Sequence, residues 1–330
     1  MSDTTIEMMT KALDEARTIE LARDKNPRVG AVVVNSQGHI VGRGFHRGSG
    51  TAHAEVVALK QAGDAARGAT VYSTLEPCNG QGMQGPCVQA LVAAGVSHVV
   101  YAQRDPNTLM AGGESALRAA GIEVTSGVLA DDAQALNESW TFAQRNERPW
   151  VKWKTATTLD GFIAASDGSS QWITGEDSRA MVQILRSQVG AIVTGTGTVL
   201  ADNPHLTVRD SNEQPLRVVI GTRPIPQDFH LADSAIQYSG DLNEVVTQLW
   251  REHGVHSVLV EAGQGLSASL WRKELVDEVF WFQAPLIAGS GVPAIGDFGV
   301  TTLDQALRIS NPRIERVGLD LLIHFRTRGE

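Results

Sequence analysis

At 330 residues with 42% apolar side chains, the chain is long enough for two domains, each with its own core. Its 37 acidic against 28 basic residues, a net charge of −9, argue against nucleic acid as the main partner, because a phosphate backbone calls for a basic face. The N-terminus is polar, no apolar run approaches a membrane span, and two cysteines are too few for a disulfide scaffold; these features lead to the expectation of a cytoplasmic enzyme of small molecules with no membrane partner.

Hydrophobic periodicity predicts an amphipathic helix over residues 5–22, then strands over 29–34 and 39–44 joined by the turn Asn35-Ser36-Gln37-Gly38. A helix over 53–61 ends at Gly63, and a strand over 69–75 delivers Glu76-Pro77-Cys78 at its exit. Pro86 opens a helix over 86–94 and places Cys87 in its first turn. A strand over 96–101, a helix over 114–120, a strand over 122–125 and a helix over 131–145 follow. Pro149 ends that helix, which predicts a domain boundary giving 1–146 and 147–330. The second half again alternates: strands over 150–156, 191–194, 216–220, 255–260 and 278–284, helices over 178–188 and 266–271, and a Pro-rich surface loop at 222–226. The pattern is α/β throughout, with an α/β sandwich in the first half.

The chemistry is concentrated in Thr51-Ala52-His53-Ala54-Glu55, Glu76-Pro77-Cys78 and Pro86-Cys87. A His-x-Glu ahead of a Pro-Cys and a second Cys is how zinc nucleobase deaminases divide their labour. His53, Cys78 and Cys87 would hold Zn²⁺ and leave a position open for water, while Glu55 stays off the metal and moves protons. Eight residues separate the cysteines, so the match is to a variant of the usual Cys-x-x-Cys spacing. A closed structural zinc site needs a fourth ligand and no proton shuttle, and neither description fits this set. In the second half, Gly195-Thr196-Gly197-Thr198 and Glu261-Ala262-Gly263-Gln264-Gly265-Leu266-Ser267 are glycine-containing strand-to-helix turns that let a pyrophosphate approach the backbone. Neither is a full dinucleotide fingerprint, and ordinary turn glycines explain each equally well by itself.

Together these segments closely resemble the bifunctional riboflavin-biosynthesis deaminase-reductase family over essentially the whole chain. The resemblance rests on Asn26-Pro27-Arg28-Val29-Gly30, Gly42-Arg43-Gly44-Phe45-His46, His53-Ala54-Glu55, Thr74-Leu75-Glu76-Pro77-Cys78 and Arg104-Asp105-Pro106-Asn107 in the first half. In the second it rests on Leu159-Asp160-Gly161, Ser170-Gln171-Trp172-Ile173-Thr174, the run from Ala201 through Asp202-Asn203-Pro204 to Arg209, and Val260-Glu261-Ala262-Gly263. It implies a cytidine-deaminase-like α/β/α sandwich followed by a dihydrofolate-reductase-like α/β domain. The first would deaminate a diaminopyrimidinone ribosyl phosphate; the second would reduce its ribosyl group to ribityl with NADPH, in a homodimer or larger assembly.

By resemblance, Asn26 and His46 face the pyrimidine. Ala156, Trp172, Thr198, Asp202 and the segment Gly263, Gln264, Gly265, Leu266, Ser267, Ala268 and Ser269 correspond to NADPH-contacting positions. Ser170, Arg186, Leu206, Arg209 and Glu261 correspond to substrate-contacting ones, with Lys154 a further candidate in that pocket and Asp202 beside the reacting ribose. Arg186 and Arg209 suit a phosphate, which a guanidinium fork binds bidentately. The sequence departs from the family between the cysteines, where Gly80 and Met83 replace a His and a Lys or Arg, with Arg47 a possible substitute. Loss of a buried charge-assisted phosphate contact costs roughly 1.5–3 kcal/mol. An alternative therefore stands beside the bifunctional expectation: an active reductase with a weak or retargeted deaminase. A cytidine- or guanine-type deaminase fused to an unrelated α/β domain would leave the second set of motifs unexplained.

Overall fold

In the computed structural model, which describes residues 2–18, 26–81 and 85–327, the chain divides into two units, Met1–Arg145 and Asn146–Glu330. Helix α1 (Asp3–Arg17) begins at Ser2, whose hydroxyl accepts the Thr5 N–H, and buries Met8, Met9, Ala12, Leu13 and Ala16 along one stripe. The remainder of the predicted 5–22 helix, beyond residue 18, lies outside the described residues.

Strands β1 (Gly30–Val34) and β2 (Ile40–Phe45) form the expected antiparallel pair. Helix α2 (Ala54–Ala62), strand β3 (Thr70–Leu75), helix α3 (Cys87–Ala94) and strand β4 (His98–Gln103) follow, then α4 (Gly113–Ala119) and β5 (Glu123–Ser126). The sheet order is β2-β1-β3-β4-β5, with β3, β4 and β5 parallel. All five residues of β1 are buried because both sheet faces are covered. Val32 and Val34 point to the core built on α1, Ala31 and Val33 to the core that holds Ala58, Leu91 and Leu117. The result is a three-layer α/β/α sandwich.

The predicted 131–145 helix is two helices, α5 (Ala130–Leu136) and α6 (Glu138–Asn146). Asn137 breaks it: its side chain accepts the Arg28 N–H and donates to the Arg28 carbonyl, both at 2.8 Å. An amide that pairs with a distant backbone leaves the helical ladder, a long-range cause that local periodicity does not carry.

The second unit contains β6 (Trp150–Thr157), β7 (Phe162–Ala165), α7 (Glu176–Ser187), β8 (Ala191–Gly195), α8 (Thr196–Asp202), β9 (Leu216–Ile220), β10 (Ile236–Tyr238), α9 (Leu242–His253), β11 (Ser257–Glu261), α10 (Gln264–Arg272), β12 (Glu278–Gln283), β13 (Gly291–Pro293), β14 (Arg313–Val317) and β15 (Asp320–Arg326). The large sheet runs β10-β9-β8-β11-β6-β12-β15-β14, parallel from β10 to β12 and antiparallel beyond; β7 and β13 form a separate pair. β6 alternates strictly. Val151 and Trp153 enter the core shared with Leu249 and Leu270, where the Trp153 indole donates to Ser267 Oγ at 3.0 Å. Lys154 and Ala156, two residues apart and so on the other face, reach a cavity at the carboxyl ends of the parallel strands, where open α/β sheets place their ligands.

Candidate active sites

In the first unit, His53 is the N-cap of α2 and Glu55 lies in its first turn; β3 ends just before Cys78, and Cys87 opens α3 behind Pro86. Two helix starts and a strand exit thus aim two thiol sulfurs and an imidazole nitrogen at one point. His53 Nδ1 lies 3.1 Å from Cys87 Sγ and 3.5 Å from Cys78 Sγ, and all three ligand atoms fall within 4.8 Å of one another. Ligands about 2.0–2.3 Å from a tetrahedral zinc stand at such separations, so the donor set fits the metal. Cys78 is held as a thiolate, with its pKa down to about 4, mainly by the Cys87 thiol hydrogen bond and also by His53; Cys87, the donor, is pushed up. A bound divalent cation reverses the second shift, because a ligating thiol gives up its proton.

Glu55 is buried, which raises its carboxyl pKa; one oxygen accepts from Ser73 Oγ at 3.5 Å and the other lies 3.5 Å from Cys87 Sγ. A cavity of about 120 Å³ opens onto it, lined by Asn26, His46, His53, Asp105, Asn107 and Met110 among others. His46 donates from Nδ1 to the Ala52 carbonyl at 3.2 Å, which leaves Nε2 to accept the Asn26 amide at 3.1 Å. Two features were not singled out from the sequence. Glu76 accepts the backbone N–H groups of Asp105 and Glu114 and so ties the Asp105 loop and the start of α4 to the exit of β3. Asp105 lines the cavity with its pKa raised to about 7, chiefly by burial. Both lie in quoted motifs, but only the fold shows that they meet.

The Asp105 shift carries a sign. Below about pH 7 the folded chain keeps this proton, whereas the unfolded chain releases it at about pH 4. In that window the folded state binds more protons, so stability falls as pH rises, by up to about 1.4 kcal/mol per pH unit. Asp105→Asn is expected to flatten this slope, as read by urea unfolding of metal-free protein from pH 4 to 7.

Gly80 has a geometric reason. A Cβ there would collide with the Leu109 carbonyl oxygen and crowd the Met110 sulfur, while Asn79 N–H donates to the Met110 carbonyl at 2.9 Å. The Asn107–Met110 turn therefore occupies the space a side chain at 80 would need. Met83 lies outside the described residues. Arg47 is exposed, stacks on the Phe45 ring at 5.2 Å, and is not among the residues lining the cavity.

The second unit has a cavity of about 460 Å³ lined by Lys154, Ala156, Ser170, Trp172, Arg186, Thr198, Asp202, Leu206, Arg209, Glu261 and Gly263. Glu261 is its electrostatic centre. Arg186 grips it bidentately at 2.6 and 3.0 Å, and Lys154 Nζ stands 3.9 Å away. Burial alone would raise the Glu261 pKa, but the two cations outweigh it and hold the carboxylate ionised; burial lowers the Lys154 pKa. The Arg186 fork is thus already engaged, and its third donor reaches the Thr207 carbonyl at 3.1 Å. Asp202 accepts from Ser170 Oγ at 3.2 Å, and Thr198 Oγ1 accepts the Gly263 N–H at 3.2 Å, tying the two glycine turns together. Trp172 is 65% exposed at the rim with Arg179 over its ring, so it is no core aromatic. Of the Gly263–Ser269 segment, Gly263 lines the cavity; Leu266 packs on the core and by Gly195, and Ser267 and Ala268 are buried. Gln264, Gly265 and Ser269 lie on α10 outside the cavity lining.

Residues 149–323 match the RibD C-terminal domain, and residues 2–103 match the cytidine and deoxycytidylate deaminase zinc-binding region. Over 98% of its length the chain is 42% identical to the riboflavin biosynthesis protein RibD of Mycobacterium tuberculosis, covering 97% of that protein. The chain belongs to the RibD family. The fold agrees: the Acinetobacter baumannii RibD structure superposes with a TM-score of 0.90 at 34% identity, covering 98% of this chain and 99% of that one. A Thermotoga maritima structure described as a diaminohydroxyphosphoribosylaminopyrimidine deaminase/5-amino-6-(5-phosphoribosylamino)uracil reductase superposes with a TM-score of 0.85 at 31% identity, covering 98% of each chain. Like other RibD proteins this is a bifunctional enzyme of riboflavin biosynthesis, with a cytidine-deaminase-like zinc domain followed by a reductase domain that uses NADPH. Full-length RibD coverage favours this reading over a reductase with a weakened or retargeted deaminase. Among the described residues, no helix is long and apolar enough to cross a membrane.

Proposed function

We propose that residues 1–146 deaminate 2,5-diamino-6-ribosylamino-4(3H)-pyrimidinone 5′-phosphate and residues 147–330 reduce the product at ribosyl C1′ to 5-amino-6-ribitylamino-uracil 5′-phosphate. One observation carries the first step: buried Glu55 stands beside three convergent zinc ligands on the cavity that Asn26 and His46 line. Held by His53, Cys78 and Cys87, zinc supplies Lewis-acid activation of a water. Glu55 takes one proton from the attacking water and passes it to the ring nitrogen, then moves the second, from the new hydroxyl, to the amino group, which leaves as ammonia. Asn26 and His46 orient the pyrimidine through polar groups whose roles their mutual hydrogen bond fixes.

In the second unit NADPH supplies the hydride. Ala156, Trp172, Thr198 and the segment from Gly263 through Gln264, Gly265, Leu266, Ser267 and Ala268 to Ser269 form its bed. The Thr198–Gly263 hydrogen bond supports that assignment. Ser170 and Asp202 orient ribose hydroxyls, and Leu206 closes the floor. Arg209 takes the phosphate. Arg186 and Lys154 hold the field around Glu261.

We also infer a cytoplasmic homodimer or larger homo-oligomer; apolar Ile287, Leu303, Ile314 and Leu319 are exposed in the second unit and support assembly through it. The test follows ammonia release and NADPH oxidation separately on the diaminopyrimidinone ribosyl phosphate. Chelation is expected to stop ammonia release while pre-deaminated substrate still oxidises NADPH. Ammonia release that survives complete zinc removal would sink the first assignment.

A further inference from the structure

We propose that Arg223 reads the 2′-phosphate of NADPH and sets the preference for NADPH over NADH. The inference rests on the reading above, that the coenzyme lies against the Gly195–Thr198 and Gly263 turns. Strands β8 and β9 are parallel neighbours in register Gly195↔Ile220, so both exit at the same level and their following loops lie side by side. In dinucleotide sites of open α/β sheets, the side chain at the exit of the neighbouring strand meets the ribose 2′ position. A carboxylate there selects a free 2′-hydroxyl and an arginine accommodates the 2′-phosphate. Here the exit reads Gly221-Thr222-Arg223-Pro224-Ile225-Pro226-Gln227, with no carboxylate.

The loop is held close to the turn it would serve. At Gly221, which has φ +137°, a Cβ would collide with Thr196 of the β8–α8 turn, so only glycine lets the two segments touch. Gln237 of β10 donates to the carbonyls of Gly221 and Arg223 at 2.7 and 2.9 Å, and Ile225 packs into the core. The Arg223 backbone is thereby fixed and its side chain reaches over the turn: a guanidinium nitrogen lies 3.0 Å from where a Gly197 Cβ would be. Gly197 adjoins Thr198 of the cavity wall. Among the described residues no carboxylate pairs with Arg223, and its side chain is exposed. A guanidinium fork beside the turn, unpaired by any acid, is the complement of a phosphate monoester.

The experiment measures NADPH and NADH dissociation constants by calorimetry for the natural chain, Arg223→Ala and Gly263→Val. The last accepts a side chain on its backbone, with Thr198 Oγ1 3.7 Å from the new Cβ, and narrows the turn for either coenzyme. Arg223→Ala is expected to weaken NADPH about tenfold or more while NADH changes less than about twofold. Gly263→Val is expected to weaken both. An unchanged NADPH-to-NADH ratio in Arg223→Ala, with Gly263→Val weakening both, overturns the role of Arg223 and leaves the coenzyme site standing. A Gly263→Val protein that binds both as the natural chain does overturns the site and the role of Arg223 with it.

Discussion

Glu55→Gln is expected to lower deaminase kcat by about 10²–10⁴-fold, the range a positioned general acid/base contributes. The change keeps the volume of a buried side chain and removes its ability to carry a proton. Zinc content is expected to stay at the natural level, because His53, Cys78 and Cys87 keep their mutual distances. Ammonia release measures the loss, metal analysis the retained zinc, and NADPH oxidation on pre-deaminated substrate the untouched second unit. A Glu55→Gln protein with full zinc and near-normal ammonia release would move proton transfer elsewhere in the cavity, with Asp105 the next group to examine.

Glu261→Ala is expected to cost up to about 3–5 kcal/mol in the second unit, because it leaves two largely buried cations without their counter-charge. Arg186 loses both arms of its fork and Lys154 loses the carboxylate 3.9 Å away. Lys154→Met is expected to cost far less, since the Arg186–Glu261 pair survives, yet to impair reduction if the cation shapes the field at the ribose. Urea unfolding followed by tryptophan fluorescence reads both, with Trp140 the one tryptophan outside the second unit. Equal stabilities for the two variants would mean that Glu261 gains little from its cations.

Much of this was legible in the sequence because the decisive signals are local. His53-Ala54-Glu55 and Pro86-Cys87 each sit where a helix begins, and such starts are written in short stretches of chain. Strands β1, β3 and β4 likewise follow from runs buried on both faces. What escaped depends on distant partners. Asn137 breaks a helix through Arg28, and Glu76 caps backbone groups 29 and 38 residues away. Helix α9 is a different case, since Asp241 caps it and Leu242, Val245, Val246 and Leu249 bury one stripe, a pattern the sequence carries openly. The hairpin β14–β15 lies at the sheet edge, where half-exposed strands such as Arg313–Val317 give a weak apolar pattern. Arg186 shows the same limit at the site: its type suits a phosphate, but its engagement with Glu261 is visible only in three dimensions.

The Asn107–Met110 turn makes position 80 a matter of inheritance as well as chemistry. With the Leu109 carbonyl seated where a Cβ would stand, a lone Gly80→His change meets backbone before it meets substrate. A lineage leaving this state must first withdraw the turn, and until then drift at 80 is barred while the exposed side chain at 109 is free to vary. The two segments are therefore epistatic, and the order of substitutions, rather than their sum, decides which loops this enzyme can reach.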